Sequence, residues 1–255
     1  MILLSLPSKF DPAMLPRGRS TPEGSVTDKD ILQLVRNSVE HQLLGRRLDS
    51  YDIDRVGFLA AAITSSAYAQ RHMRAVPRHA DDLALLREAL ALCTVPGLVM
   101  EFGVASARTT NVIADHVQGP VYGFDGFAGL PEDWRPGFGR GAFARSALPE
   151  VRPNVQLVVG WFDRTLPGFL DAHPGPASFV HVDCDLYSST QTILSQLRER
   201  IVPGTILVFD EYFNYPGWEM HEHRAFAEFV QATGRAYEYV GLVPSHQQVA
   251  VRILA

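Results

Sequence analysis

SFVHVDCDLYSSTQTILSQLRERIVPGTILVFDEY, residues 178–212, decides the fold. It holds two apolar runs of strand length, 179–182 and 205–209. Each stops in carboxylates: Asp183 and Asp185 after the first, Asp210 and Glu211 after the second. Between them, residues 188–201 carry Ile193, Leu194, Leu197 and Ile201 at i, i+1, i+4 and i+8, the spacing of one helical face. Ser188, Ser189 or Thr190 is expected to cap the start of this helix, and Pro203-Gly204 to end it. Strand, helix and strand of this length form a βαβ unit with two parallel, adjacent strands. Ligands of an open α/β sheet bind beyond the carboxyl ends of its strands. Both acid pairs therefore reach one edge, where four carboxylates are expected to hold a divalent cation or an acid/base group.

The flanking sequence extends the same alternation. Residues 98–102 read as a buried strand, followed by Gly103-Val104-Ala105-Ser106 and a helix over 109–117. A second strand, 121–124, stops at Asp125. A third, 155–159, stops at Gly160-Trp161-Phe162-Asp163 and precedes a short helix over 166–172. Residues 126–149 are glycine-rich and long for a connection, which marks a functional loop or lid. Beyond the acid-ended strands, 219–233 is helical with Phe226, Phe229 and Val230 apolar, and strands 237–242 and 248–254 follow. Ahead of the sheet lie helices over 80–93 and 54–74, the latter with Val56, Leu59, Ala60, Ile63 and Ala67 on one face. A further helix starts near Thr27, with Ile31, Leu34, Val35, Val39 and Leu43 at helical spacing, after a loop or strap over 1–26. The sum is a doubly wound, Rossmann-like α/β sheet, mostly parallel, with a C-terminal antiparallel hairpin and N-terminal helices. The expected division is 1–78, an N-terminal arm and helical segment acting as lid or subunit contact, and 79–255, the α/β domain.

Bulk properties bound the partners. The chain has 255 residues, 46% hydrophobic and 20% charged, enough for a sizeable core. A net charge of -5 without a Lys/Arg-rich run argues against nucleic acid. Two cysteines, Cys93 and Cys184, give no disulfide framework and suit a reducing cytoplasm. Pro7 and Lys9 interrupt the first ten residues too early for a signal peptide, and no apolar run is long enough to span a membrane.

The turn after the first strand has only one glycine, Gly103, so it lacks the GxGxxG fingerprint of a pyrophosphate-bearing dinucleotide. A nucleoside without pyrophosphate needs less glycine. Glu101 ahead of that turn and Asp125 at the end of the second strand fit this reading, with Asp125 placed to accept the two hydroxyls of a ribose. Trp161, Phe162 and Asp163 offer a stacking surface and a carboxylate to a base, or else pack in the core. Oxygen ligands at Asp183, Asp210 and Glu211 suit Mg²⁺, Mn²⁺ or Ca²⁺ rather than Zn²⁺. Asp185 remains as a proton acceptor. Clustered carboxylates repel, so without a cation one of them is expected to be protonated or displaced. His221 and His223 flank Glu222, but HEH is not HExxH and their imidazoles point about 200° apart on a helix. They are expected to contact substrate, not zinc, and His181, within a strand, is expected to be structural.

Four motifs, EFGVASARTT, VYGFDGFAGLPEDW, HVDCDLYSST and VFDEYFNYPGWEMHEHRAF, together resemble the macrocin/novobiocic-acid type of S-adenosylmethionine-dependent O-methyltransferase over residues 98–254. The resemblance implies a class I methyltransferase fold. It implies S-adenosylmethionine at Glu101, Gly103, Ala105, Ser106, Arg108, Thr109, Asp125, Gly126, Trp161, Phe162, Asp163 and Asp183. It also implies Mg²⁺, or Mn²⁺ or Ca²⁺, on Asp183, Asp210 and Glu211, with Asp183 and Asp185 catalytic and Asp185 the base. Tyr187, Tyr212, His221 and His223 would face a small-molecule acceptor, a sugar or phenol of secondary-metabolite (antibiotic) biosynthesis. Members commonly form homo-oligomers through N-terminal segments. Two positions depart from the family: Asp210-Glu211 stands where Asp-Asp is usual, and 104–107 lack the usual Trp and paired glycines. The alternatives are metal-independent methylation of nitrogen or oxygen, and cofactor binding without methyl transfer.

Overall fold

The computed structural model describes residues 52–254; the helix expected from Thr27 and the strap before it lie outside them. One compact unit runs Ile53–Ala255. Its seven-stranded sheet consists of β1 (Leu98–Phe102), β2 (Val121–Asp125), β3 (Val155–Val159), β4 (Ala177–Val182), β5 (Ile206–Phe209), β6 (Tyr237–Leu242) and β7 (Val249–Ile253). The spatial order is β3-β2-β1-β4-β5-β7-β6. Strands β1 to β5 are mutually parallel, and β7 is antiparallel to both β5 and β6. From β1 the chain winds first toward β2 and β3, then returns to β4 on its other side. That reversal leaves a crevice at the carboxyl ends of β1 and β4.

The central strands are apolar because both faces are covered. All six residues of β4 and all four of β5 are buried. Alternation sends Met100, Phe102, Val180, Val182, Leu207 and Phe209 into one core layer and Phe179, Ile206 and Val208 into the other. Glu101 pairs in register with His181, so their side chains share the second face. The helices are α1 (Ile53–His72), α2 (Asp82–Ala91), α3 (Arg108–His116), α4 (Phe162–Ala172), α5 (Tyr187–Gln196) and α6 (Glu222–Thr233). Among the described residues no helix is long and apolar enough to cross a membrane.

Several boundaries differ from those read in the sequence. Helix α5 starts at Tyr187 with Leu186 at its cap, and no hydroxyl caps it. Asp185 takes a left-handed conformation (φ 65°), and the Leu186 amide closes a tight turn on the Cys184 carbonyl (2.6 Å), so the helix begins before Ser188. The hydroxyls are used elsewhere: Ser188 donates to Glu132, and Thr190 donates to the carbonyl of Leu186. The helix also stops at Gln196, well before Pro203. Residues Trp218–Met220 form a 3-10 turn, and α6 begins only at Glu222.

The expected apolar face of α1 is not the buried one. Val56, Leu59 and Ile63 are exposed, while Ala61 and Ser65 are buried. Small and polar residues dock this helix: Ser65 Oγ accepts the Asn214 amide (2.8 Å), Thr64 Oγ1 accepts from Trp218 Nε1 (3.0 Å), and Tyr68 and Tyr239 share a hydrogen bond (2.6 Å). Helix α1 is thus tied by hydrogen bonds to the segment after β5 and to β6.

Candidate active site

A cavity of about 820 Å³ opens at the carboxyl ends of β1, β2 and β4. Its floor is the turn after β1. Gly103 has φ +96°, and a Cβ there would lie 1.6 Å from the carbonyl oxygen of Asp183, so only glycine lets β1 pass this close to β4. Ala105 and Ala107 also have positive φ; the chain adopts with alanine a shape that glycine takes at lower cost. Asp125 stabilises this shape, its Oδ2 accepting the amides of Val104 (2.9 Å) and Ala105 (2.8 Å). Its Oδ1 accepts the amide of Phe127 (2.7 Å). A carboxylate offers about four acceptor sites, and three are taken, so Asp125 ties two loops together and has little left for a diol. Trp161, 39% exposed, lies against Gly126, where a Cβ would meet the indole ring at 3.4 Å.

The lining includes Gly103, Ala105, Asp125, Gly126, Trp161, Phe162, Asp163 and Asp183 of the expected cofactor residues. Glu101, Ser106, Arg108 and Thr109 are not in it. Glu101 is fully buried and accepts from Thr110 and from His181 Nδ1 (2.8 Å). Arg108 turns away to pair with Asp82, and Thr109 is buried. The far wall comes from the loop after β2, with Leu130, Pro131, Arg140 and Phe143, and from α5 with Ser188 and Thr192. Composition marked that loop as functional, but not which of its residues would face inward.

Asp183, Asp185 and Glu211 line the cavity, and Asp210 stands behind them. Burial, then the charge of Asp210, raises Asp183 well above the usual carboxylate range. The same two causes, partly offset by Arg135, push Asp185 up to about 7. Burial and the neighbouring acids likewise raise Glu211 and Glu222. Asp210 is the exception: burial opposes its charge, but His181 and the Gln248 amide (3.1 Å) hold it below its ordinary value. In turn Asp210 and Glu101 outweigh the burial of His181 and raise its pKa. Mutual repulsion therefore adds to burial in raising Asp183, Asp185 and Glu211.

The donor set differs from the expected one. Atoms of His181, Asp183 and Asp210 lie within 4.8 Å of one another; Glu211 is not in this group. Its amide donates to Glu222 Oε2 (3.0 Å), which draws that part of the chain toward α6, and its buried Oε2 has no partner. His181 Nε2 is also buried without a partner. His181, expected to be structural, therefore joins the acid cluster. Orphaned donors beside two carboxylates fit a cation.

None of the four expected acceptor contacts lines the cavity. Tyr212 is 1% exposed and hydrogen-bonded to Tyr239 (2.8 Å). His223 is enclosed by the rings of Tyr68, Tyr212 and Trp218. Tyr187 donates to Glu228 (2.6 Å), and His221 packs near Trp134 and Tyr215. Their aromatic bodies found partners in the protein itself.

Residues 100–212 match a family described as a methyltransferase domain. An 8-demethyl-8-(2,3-dimethoxy-alpha-L-rhamnosyl)-tetracenomycin-C 4'-O-methyltransferase of Streptomyces olivaceus is 30% identical over 158 residues, 52% of this chain and 59% of that protein. The chain thus spans about three fifths of the curated relative it matches. Among solved structures, CalS11, a calicheamicin methyltransferase, superposes with a TM-score of 0.54 at 22% identity over 92% of this chain and 99% of its own. The O-methyltransferase NovP gives 0.53 at 21% identity, over 68% and 79%. At these identities the superpositions speak for the fold, which is the class I methyltransferase fold. The resemblance carried by the four motifs is borne out.

Proposed function

We propose that this chain is an S-adenosylmethionine-dependent O-methyltransferase that methylates a hydroxyl of a small natural-product-like acceptor, a sugar or phenol, with help from a divalent cation; the methyltransferase-domain match, the relative at 30% identity and the motif order support the reading. One observation carries the reading: a single cavity joins the β1 turn, Asp125 and Trp161 to Asp183 and Asp185. Its volume of about 820 Å³ suits a cofactor and a small acceptor together. When bound, S-adenosylmethionine supplies an electrophilic methyl group, and a divalent cation on Asp183 and Asp210 supplies Lewis acidity that lowers the pKa of a hydroxyl. The chain's own residues do the rest. The β1 turn would form the floor under the nucleoside, Asp125 would take one ribose hydroxyl on its remaining acceptor site, and Trp161 would stack on the base. Asp185, lining the cavity with a pKa pushed up to about 7, is matched to taking the acceptor's proton near neutrality. The loop after β2 would close over the acceptor, excluding water and aligning the reacting oxygen.

The net charge of -5 supports a small acceptor over nucleic acid, and two free cysteines support a cytoplasmic setting. The exposed apolar face of α1, with Val56, Leu59 and Ile63, supports a homo-oligomer. Calorimetric titration of S-adenosylmethionine into wild type and Asp125→Ala, then an acceptor screen with and without chelator, tests the proposal. Micromolar binding lost in Asp125→Ala and chelator-sensitive methylation are expected. Full turnover in Asp183→Ala would remove the cation from the mechanism, and absence of cofactor binding would remove the function.

A further inference from the structure

Gln248 is 2% exposed at the head of β7, whose next residues, Val249-Ala250-Val251, are apolar and buried. A glutamine in that place gives up hydration, so it needs a hydrogen-bonding partner of its own. The register supplies one. Phe209 pairs with Val249 in the antiparallel ladder, so one step further Asp210 stands opposite Gln248 and their side chains share a face. Gln248 Nε2 donates to Asp210 Oδ2 (3.1 Å); the amide oxygen would be repelled there, so the nitrogen faces the carboxylate. His246 Nδ1, 2.8 Å from the same nitrogen, holds the amide from the turn side. The ladder continues past this pair. Tyr212 donates its amide to the Gln247 carbonyl (3.0 Å), and Asn214 Nδ2 donates to the His246 carbonyl (3.0 Å). The tip of the terminal hairpin thus grips alternate residues of the segment after β5. The other oxygen of Asp210, Oδ1, faces His181 Nε2 at 3.8 Å. Both oxygens are therefore held, while each keeps acceptor capacity to spare. A carboxylate fixed in one orientation gives up little freedom when it takes a ligand.

We infer that Gln248 is a positioning residue for the cation: it sets the orientation in which Asp210 meets a divalent ion. Gln248 does not line the cavity; its effect passes through Asp210. The inference rests on the proposed cation-assisted reading and deepens it, because the terminal hairpin becomes part of the site's construction.

The test uses the full chain. Mn²⁺ and Mg²⁺ binding are measured by calorimetry, alongside S-adenosylmethionine binding without cation. Gln248→Met keeps the length of the side chain and removes the donor. Its affinity for both cations is expected to fall about 10–100-fold, the usual cost of losing such a support, while S-adenosylmethionine affinity stays at the wild-type value. Arg252→Gln breaks the Arg252–Glu238 ion pair (3.0 Å) across β6 and β7 at a distance from Asp210, and is expected to bind both cations as wild type does. Because a buried position can be needed for folding, Gln248→Asn is the second variant. It keeps an amide but falls one carbon short of Asp210, and is expected to weaken cation binding in the same direction. Wild-type cation affinity in whichever Gln248 variant folds would overturn the inference. So would an equal loss in Arg252→Gln, or a parallel loss of S-adenosylmethionine binding in Gln248→Met, since either traces the effect to general stability. If no divalent cation binds wild type, the inference falls together with the cation-assisted reading. Cation binding that depends on Gln248, alongside chelator-insensitive methylation, overturns only that reading.

Discussion

At Gly103, space and backbone angle act together: a side chain there would strike the carbonyl of Asp183, and φ of +96° suits no other residue well. Gly103→Ala is expected to separate β1 from β4 at the cavity floor, lowering the melting temperature and weakening S-adenosylmethionine binding by more than about tenfold, since burial leaves the clash no room to relax. Calorimetry on the folded fraction checks this, and wild-type affinity would refute it. His223 gives a second prediction at this scale. Burial, and next the charge of nearby His72, push its pKa down from 6.5 to about 4. Between those values the unfolded chain binds a proton that the folded chain refuses. Stability is therefore full above pH 6.5 and falls on acidification toward 4, and thermal melts of His223→Phe should show a shallower decline than wild type. That Gly103 and Asp125 line the cavity was legible in the sequence because each stands at the end of an apolar strand; that Asp125 ties two loops together was not. The place of His181 beside the acid cluster was not legible, because it depends on Glu101 in β1 and on Asp210 at the end of β5. Arg108 misled for a similar reason: Asp82, on a distant helix, captures it.

Among the elements, strands were read more accurately than helices. The bounds of β1, β3 and β6 coincide with those read from apolar runs, because Gly103 and Gly160 directly follow the first two and Pro244 closely follows the third. Helix starts shifted where backbone geometry outside the helix decided them, as the left-handed Asp185 does before α5. The loop after β2 has internal structure that no periodicity announces. Leu130 and Ala142 are joined by an amide-to-carbonyl bond (2.9 Å), and the Gly141 amide returns to Leu130 (2.9 Å). The guanidinium of Arg135 stacks on Trp134 at 3.9 Å. A Cβ on Gly129 would come within 2.4 Å of the Gly141 carbonyl oxygen. Gly129→Ala is thus expected to open this loop without melting the sheet. Limited proteolysis should cut at Arg135, Arg140 or Arg145 several-fold faster, and acceptor KM should rise more than kcat falls. Unchanged cleavage and kinetics would show that the loop is not the acceptor wall.

For the whole molecule, the surface of α1 decides what else is needed. Val56, Leu59 and Ile63, on one face of α1, are 38%, 39% and 62% exposed, an apolar stripe of the kind that marks a contact surface. The face was recognisable in the sequence, but its direction was not, because Ser65, Thr64 and Tyr68 dock the helix through hydrogen bonds that hydrophobicity does not register. Replacing Leu59 and Ile63 with aspartate is expected to shift sedimentation toward a smaller species while melting temperature changes by a few degrees at most. Identical sedimentation of variant and wild type would dispose of the homo-oligomer. The strand order carries a separate consequence. Strand β7 leaves the ribosome after the other six, yet it pairs with β5 on one side and β6 on the other. Domains generally fold as units while synthesis proceeds from the N-terminus, but here β5 keeps an open edge until translation has passed Ile253. Nascent chains stalled before that point would display an unpaired strand beside the acid edge, open to pairing with other chains until β7 arrives.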